Sequence, residues 1–398
     1  MMHQFNPHSF DSRIQHALQN QQEKQLYRQR QVINRGYQQG HDIASVIHEN
    51  SQQALVNFSS NDYLGLACEP SLVKAWQQGL ELYGCGSGAS PLVTGQHTPH
   101  AKLEHHLATW LGFERALLFS SGYSANQAVL LSLLTRDDCL IQDKLNHASL
   151  MEVGILSPAT MKRFRHNDLS ALQGLLEKNS GLSKLVVTEG AFSMDGDLAP
   201  LAEIHALCQQ HHSWLMVDDA HGCGVLGEYG RGSCDIAQIT PDILIVTFGK
   251  AFGMQGAAVL CSDNIAEFLI QKARHYIYST AMPPAQAYAL LHACQLIEHQ
   301  GWRREKLLQL SQCFSQHLGS NVIHPVTPTP IKPIIIGDSE RALDISQQLK
   351  QRGFLVSAIR PPTVAVNSAR LRVTLTAAHT TEQVIELANT INEVVMDE

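Results

Sequence analysis

Short apolar runs that alternate with helical patterns between residues 100 and 260 constrain the fold of this chain most strongly. Amphipathic segments such as 123–134 and 200–211 separate the runs. The apolar runs are Ala116–Phe119, Cys139–Gln142, Lys184–Thr188, Trp214–Asp218 and Ile243–Thr247. Continuous apolar strands separated by helices are typical of strands that are buried on both faces. The pattern therefore predicts an α/β fold with a mainly parallel sheet flanked by helices.

The pattern changes on either side of this region. Residues 10–35 predict a polar helical arm, and residues 36–53 a connector that leads to a strand near Leu55–Phe58. After Pro283–Pro284, helical patterns alternate with further apolar runs and predict a smaller α+β unit. Its predicted helices are 285–299, 302–317, 339–351 and 381–394, and its apolar runs lie near 332–336, 354–359 and 371–375. We expect an N-terminal arm and connector (1–54), a large α/β domain (55–284) and a small C-terminal domain (285–398).

Composition narrows the class of protein. The 398 residues include 36 acidic and 29 basic side chains, and the net charge of −7 provides no chain-wide attraction for nucleic acid or anionic lipid. No apolar stretch approaches the roughly 18 residues of a membrane span, and the first residues lack a signal-peptide pattern. Nine cysteines without a C-x-x-C pair favour free thiols in a reducing compartment over a disulfide scaffold or zinc ribbon. We expect a cytoplasmic enzyme with no metal site.

Lys250 follows an apolar strand in the segment Val246–Gly253. An amine in that position, beside small and hydroxyl residues, can be partly desolvated and kept neutral enough to attack a carbonyl and form a Schiff base. A surface lysine in a turn is the alternative. A P-loop does not explain the segment, because Ala251 follows the lysine and no glycine lies five residues before Gly249.

Asp218 ends another apolar run, in a segment that continues Asp219-Ala-His221. A carboxylate at the carboxyl edge of a parallel sheet lies where such sheets bind ligands, and it can keep a ring nitrogen of a cofactor protonated. A metal-binding pair or a solvated turn remains an alternative for the two carboxylates.

Gly122 and Tyr123 lie in a strand–turn–helix segment where free backbone N–H groups favour a phosphate. A plain N-cap would look the same. The glycines at 84, 86 and 88 resemble a nucleotide loop, but they follow a helical pattern and lack the G-x-G-x-x-G spacing. This context weighs against a nicotinamide-dependent dehydrogenase.

Other candidate side chains also follow predicted strands. The His147 ring could stack on a planar ligand or simply cap the next helix, and Ser193 supplies a hydroxyl. Arg372 would need a carboxylate partner if it faces inward, and Arg370 shares that ambiguity. Arg28 on the arm could bind a carboxylate or an acidic acyl chain, or be merely solvated. Amine, carboxylate, phosphate cradle, ring and hydroxyl together indicate one site at the sheet edge.

Six segments resemble the α-oxoamine synthases, a group of fold-type I pyridoxal-phosphate enzymes, from about Leu55 to the C-terminus. They are Asn57–Leu66, Asn146–Ser149, Thr188–Gly196, Val217–Gly222, Thr247–Lys250 and Tyr278–Pro284. Segments Gly256–Cys261 and Arg360–Thr363 look closer to an alanine-using member than to the glycine-using relatives.

This resemblance implies pyridoxal 5′-phosphate as cofactor and assigns roles by position. Lys250 would carry the cofactor, Asp218 would pair with its ring nitrogen, and His147 would stack on the ring and contact substrate. The remaining cofactor contacts would be Gly122, Tyr123, Ser193, His221 and Thr247.

The same resemblance implies the reaction and the substrate contacts. L-alanine would lose its α-proton to Lys250 and attack a pimeloyl thioester of acyl-carrier protein or coenzyme A, with loss of carbon dioxide. Arg372 would bind the substrate carboxylate, Thr363 would contact substrate, and Arg28, with Arg35 as its competitor, would supply an N-terminal contact. A homodimer is expected. A relative that uses glycine or another amino acid, or a non-catalytic homologue, is the alternative.

Overall fold

The structure, a computed structural model, describes residues 9–24, 26–36, 42–49 and 51–396. Its N-terminal elements are helix α1 (Phe10–Glu23) and strands β1 (Ile33–Arg35), β2 (Ser45–His48) and β3 (Ala54–Asn57). The predicted helix over 10–35 is therefore wrong beyond Glu23. Strand β2 lies within the expected connector and pairs with both β1 and β3. The reason is a short apolar patch, in which Val46 and Ile47 are buried. Residues 37–41 and 50 of that connector lie outside the described residues.

Helices α2 (Pro70–Tyr83) and α3 (Thr98–Leu111) come next. Pro70 lies in the first turn of α2, where its missing N–H leaves no hydrogen bond unmade. The loop of glycines 84, 86 and 88 follows this helix and not a strand, as expected.

The central sheet contains seven strands: β4 (Arg115–Phe119), β5 (Asp138–Asp143), β6 (Thr160–Phe164), β7 (Ser183–Glu189), β8 (Trp214–Asp218), β9 (Ile243–Thr247) and β10 (Ala257–Cys261). Their order is β4-β10-β9-β8-β7-β5-β6, and β10 runs antiparallel to both neighbours. The five apolar runs are strands, and the prediction of a mainly parallel sheet is confirmed. Strands β6 and β10 were not predicted, because β6 is a largely exposed edge strand and β10 begins with two alanines.

Helices cover both faces of this sheet: α4 (Gly122–Leu133), α5 (Ala148–Leu156), α6 (Leu169–Lys178), α7 (Leu201–Gln210), α8 (Ser233–Ile236), α9 (Asp263–Lys272) and α10 (Arg274–Ile277). Successive strand residues join two different apolar clusters. In β9, Leu244 and Val246 belong to one cluster, while Ile243 and Ile245 belong to the other. This alternation follows from the two-residue period of a strand. It explains why the strands read as continuous apolar runs.

The C-terminal elements are α11 (Pro284–His299), α12 (Trp302–His317), β11 (Ile331–Gly337), α13 (Ser339–Gln351), β12 (Phe354–Leu355), β13 (Ser357–Ile359), β14 (Ala369–Thr374) and α14 (Thr381–Met396). Strands β11, β14 and β13 form an antiparallel sheet, and β12 pairs with β3 near the N-terminus. Helix α11 packs on α2 and α3. The division of the chain at residue 284 stays a prediction. No helix in the described part of the chain is long and apolar enough to cross a membrane.

Candidate active site

A pocket of about 310 Å³ opens at the carboxyl ends of β7, β8 and β9, beside the first turn of α4. Its lining includes Gly122, Tyr123, His147, Asp218, His221, Thr247 and Lys250 from the sequence-based set, together with Asn61, Asn126, Ser149 and Glu189. The topology explains this convergence, because parallel strands bring their carboxyl ends to one edge. Ser193, Arg372, Thr363 and Arg28 are not among the residues that line this pocket.

Lys250 lies in the turn after β9, where its Nζ donates to Thr247 Oγ1 at 3.4 Å. Burial lowers the pKa of Lys250, the carboxylates of Asp218 and Glu189 oppose that shift, and the charge of Arg372 adds to it. A lowered pKa increases the fraction of neutral amine. The lysine is thus prepared to act as a nucleophile or a base.

Asp218 ends β8 and is 5% exposed. Its Oδ2 accepts a hydrogen bond from Asn126 Nδ2 at 2.8 Å, and its Oδ1 accepts the Ala220 N–H at 3.2 Å. The two hydrogen bonds fix the position of this carboxyl group. A carboxylate fixed in this place can pair with a protonated ring nitrogen.

The neighbouring Asp219 has different surroundings. Its two oxygens accept the hydroxyl and the N–H of Ser233, and burial raises the pKa of Asp219 to about 7. Asp218 and Asp219 therefore serve different parts of the structure and do not form a metal-binding pair. Within the described ranges, no group of three or more histidine, cysteine or acidic side chains is arranged to hold a metal ion.

His147 is oriented by Ser149. The ring Nδ1 accepts the Ser149 N–H at 3.3 Å and the Ser149 hydroxyl at 2.8 Å, and that hydroxyl accepts from Asn126 Nδ2 at 3.0 Å. Burial lowers the pKa of His147, an effect that Asp218 opposes and Lys250 strengthens. The neutral ring consequently carries its proton on Nε2. His147 caps α5 and also lines the pocket, so the capping interpretation is confirmed while stacking on a planar ligand stays a prediction.

His221 pairs with Tyr63 on the other side of the pocket. The Tyr63 hydroxyl lies 2.6 Å from His221 Nδ1, and burial raises the pKa of Tyr63 to about 12. Burial and the nearby charges of Lys250 and Arg372 hold the pKa of His221 well below its usual range. The tyrosine therefore donates to a neutral imidazole whose proton is on Nε2.

Arg372 faces inward on β14 and is 7% exposed. It donates from Nε to the Ser193 carbonyl at 2.6 Å and from Nη1 to Asn61 Oδ1 at 3.0 Å. In the described part of the chain it forms no ion pair, whereas Arg370 pairs with Asp195. A buried guanidinium without a carboxylate partner is suited to an acidic ligand. Ser193 lies beside this arginine.

Arg28 and Thr363 come together elsewhere, in a groove of about 610 Å³ that is also lined by Tyr27 and Arg360. Arg35 lies on β1, where its charge acts on Asp62. Arg28, and not Arg35, therefore lines the same groove as Thr363.

Glu189 also lines the pocket, although the sequence patterns had assigned it no role. It ends β7 directly beside Asp218 in the strand register, and it is 3% exposed. Burial, reinforced by Asp218, raises the pKa of Glu189 well above its usual range, although the charge of Lys250 and the backbone N–H groups of His147 and Ser193 oppose this shift.

Asn126, Ser149, Asn61 and Tyr63 are further residues that sequence reasoning left without a role. Asn126 and Ser149 carried a usable signal, since each lies within three residues of an assigned residue, Tyr123 and His147 respectively. Asn61 and Tyr63 are about 310 positions away from Arg372 in the chain, and only the fold brings them into contact with it.

The pocket fits pyridoxal phosphate. Ser121 caps α4 by accepting the Ser124 N–H at 3.1 Å, while helix geometry leaves the first N–H groups free for a phosphate. A Cβ on Gly122 would meet Thr247 Cγ2 at 2.5 Å, so glycine keeps this cradle open. Buried oxygens of Asn126 and Glu189 lack a partner within the described structure, which leaves polar groups for a ligand.

Comparisons with known proteins agree with this geometry. The model of the family "Aminotransferase class I and II" matches residues 53–391. The 8-amino-7-oxononanoate synthase of Photobacterium profundum is 60% identical over 393 residues, which are 98% of each chain.

Solved structures of related enzymes share the fold of this chain. Serine palmitoyltransferase of Sphingomonas wittichii superposes with a TM-score of 0.89 at 27% identity, covering 98% of both chains. The 8-amino-7-oxononanoate synthase of Francisella tularensis gives 0.74 at 32% identity, covering 85% of this chain and 97% of that one. The chain belongs to the pyridoxal-phosphate-dependent class I and II aminotransferase family and, within it, to the 8-amino-7-oxononanoate synthases.

Proposed function

We propose that this chain condenses L-alanine with a pimeloyl thioester to give 8-amino-7-oxononanoate, carbon dioxide and the free carrier thiol, a step of biotin biosynthesis. The observation that carries the proposal is the pocket itself, in which Lys250 and Asp218 face one space beside the cradle at Gly122.

Bound pyridoxal phosphate supplies an electron sink for the negative charge that develops on the amino-acid α-carbon. Asp218, which Asn126 and the Ala220 N–H hold in place, would pair with the ring nitrogen of the cofactor and keep that nitrogen protonated. The first turn of α4, at Gly122 and Tyr123, binds the phosphate.

Lys250 has two tasks. Its neutral amine would hold the cofactor, and the same Nζ would accept the proton from the alanine α-carbon. The lowered pKa of Lys250 supports both tasks, since an amine that stays protonated performs neither.

Arg372 binds the carboxylate of alanine. Its Nε is fixed by the Ser193 carbonyl and its Nη1 by Asn61, so the guanidinium is held before the substrate arrives. Preorganisation of this kind reduces the entropy lost on binding.

The groove that holds Arg28 and Thr363 suits the acyl donor. Tyr27 and Ile359 provide apolar lining for a methylene chain, and Arg28 provides a charge for the terminal carboxylate of the pimeloyl group. Both acyl-carrier protein and coenzyme A thioesters carry this acyl chain.

A homodimer in the cytoplasm completes the proposal. Val93 and Tyr278 are 74% and 75% exposed, on loops that Ser87 joins through its hydrogen bond to the Ala281 carbonyl. Exposed apolar groups of this kind favour a protein partner. The nine cysteines are free thiols, which is typical of proteins from reducing compartments.

The test uses purified protein with pyridoxal phosphate, L-alanine labelled with ¹³C at the carboxyl carbon, and either pimeloyl-coenzyme A or the carrier-protein thioester. We expect labelled carbon dioxide and 8-amino-7-oxononanoate by mass spectrometry. Glycine, which lacks one methyl group, should react with a kcat/KM at least about 10-fold lower. Absence of product with both thioesters, or a preference for glycine, contradicts the proposal. Light scattering should give twice the chain mass of 43.9 kDa.

A further inference from the structure

Behind the pocket, one histidine joins two carboxylates. His166 Nδ1 lies 3.1 Å from Asp143 Oδ1, and His166 Nε2 lies 2.8 Å from Asp197 Oδ2. None of the three side chains lines the pocket. Each carboxylate, however, belongs to a loop that carries a residue of the site.

Asp143 holds the loop that ends at His147. This carboxylate is fully buried and accepts the N–H groups of Leu145 at 2.8 Å and Asn167 at 2.9 Å. Its carbonyl accepts the Asn146 N–H at 3.3 Å. A shift of Asp143 would therefore move the backbone directly before His147.

Asp197 holds the loop that anchors Arg372. Its carbonyl accepts the Phe192 N–H at 3.0 Å, and the Phe192 ring meets the His166 ring edge-on at 4.4 Å. The next residue, Ser193, accepts Arg372 Nε at 2.6 Å. His166 thus connects the His147 loop with the support of Arg372. The neighbouring Asn167 adds a second link, since its N–H donates to Asp143 and its Nδ2 donates to Asp197 Oδ2 at 3.0 Å.

Only the protonated imidazole fits this position. A neutral ring donates from one nitrogen and would turn a lone pair toward one of the two carboxylates, whereas the imidazolium donates from both. The charge also compensates two acidic groups that would otherwise repel each other, of which Asp143 is fully buried.

We propose that His166 is a positioning residue, which as a cation between Asp143 and Asp197 keeps His147 and Arg372 in their relative places for the reaction. The expected change in the KM for alanine rests on the proposed function, whereas the expected change in circular dichroism requires only that the protein binds pyridoxal phosphate.

The central variant is His166→Gln, which keeps the size of the side chain but loses the charge and one donor. We expect a folded protein whose bound pyridoxal phosphate has a weaker visible circular dichroism band, because His147 has moved. The KM for alanine should rise by about 10- to 100-fold, as expected when a binding group is displaced by about 1 Å. His105→Gln is the matched control, since His105 lies exposed on α3.

A purely structural role for His166 predicts a different result. His166→Gln would then lower the melting temperature but leave the circular dichroism band and the KM for alanine as in the parent, and that outcome overturns the proposal. If His166→Gln does not fold, Asp197→Asn replaces it, because the amide keeps an acceptor oxygen and removes only the charge. Unchanged circular dichroism and KM in this variant contradict the proposal equally.

The two proposals fail separately. If the parent protein makes no product from alanine and either thioester, the proposed function fails. The dissociation constant and circular dichroism of pyridoxal phosphate in the parent and in His166→Gln still decide whether His166 positions the site.

Discussion

Asn126 Nδ2 lies 2.8 Å from Asp218 Oδ2, so this hydrogen bond joins helix α4 to the carboxylate at the end of β8. The same amide nitrogen donates to Ser149, whose hydroxyl donates to His147. One buried side chain therefore orients both the carboxylate proposed to pair with the cofactor ring nitrogen and the ring proposed to stack on the cofactor.

Replacing Asn126 by leucine tests this connection. The variant has a similar volume but leaves Asp218 Oδ2 and Ser149 without a donor. A hydrogen bond to a charged group contributes about 1.5–3 kcal/mol, so we expect kcat to fall by about 10- to 100-fold. Steady-state kinetics at saturating cofactor measure the effect. An unchanged kcat would show that Asp218 needs no support from Asn126.

Lys250→Ala should remove the covalent link to pyridoxal phosphate. Borohydride reduction followed by peptide mass spectrometry should find a cofactor adduct on Lys250 in the parent and none in the variant. Product formation should fall below detection, because no other amine lines this pocket in the described structure. An adduct on a different lysine of the parent would refute the assignment.

The strand ends of the large sheet and much of the pocket could be predicted from local patterns. Continuous apolar runs identify strands buried on both faces, and side chains directly after them must meet at one edge. Lys250, Asp218 and His147 follow from that rule. The helix expected over 10–35 ends at Glu23, and strand β2 was not predicted. In both places the sequence lacks a strong periodic pattern that would have marked the end of the helix or the presence of the strand.

The rest of the site depends on contacts between distant parts of the chain. The residue pattern alone left the orientation of Arg372 open and did not distinguish Asp218 from Asp219, and only the family resemblance assigned roles to Arg372 and Asp218. The position of the Arg372 guanidinium is fixed by its hydrogen bonds to Asn61 and Tyr63. Asp219 is identified as a structural carboxylate by its hydrogen bond from Ser233. Such pairings follow from the packed fold and have no local periodicity to reveal them.

Gly122→Ala should weaken cofactor binding. Its new Cβ would meet Thr247 Cγ2 at 2.5 Å, so either the cradle or the strand end must shift. We expect the dissociation constant of pyridoxal phosphate to rise by at least about 10-fold, equivalent to 1.4 kcal/mol. Gly174→Ala in α6 is the matched control, since nothing lies within 4 Å of its new methyl group. That variant should bind the cofactor normally and gain up to about 1 kcal/mol of stability.

Arg372→Gln and Arg370→Gln form a second matched pair on β14. Both arginines are buried, but Arg370 already pairs with Asp195 while Arg372 retains capacity for a substrate carboxylate. Arg372→Gln should raise the KM for alanine by about 10- to 100-fold, the effect of losing a charge-assisted hydrogen bond. Arg370→Gln should mainly lower thermal stability. Equal KM values for the two variants would refute the assignment of Arg372.

The stability of the protein should fall between neutral and alkaline pH because of His166. Hydrogen bonds and charges from Asp143 and Asp197 outweigh desolvation and raise the pKa of His166 from 6.5 to about 10. The folded chain therefore binds this proton more tightly than the unfolded chain does. The resulting stabilisation is fully present below pH 6.5 and is lost as the pH rises toward 10.

Other groups also titrate in this range, so the informative quantity is the difference in stability between the parent and His166→Gln. Urea unfolding at pH 6.5, 8 and 9.5 should show the variant least stable, relative to the parent, at pH 6.5 and approaching it at pH 9.5. A difference that stays constant with pH would mean that His166 is neutral in the folded protein.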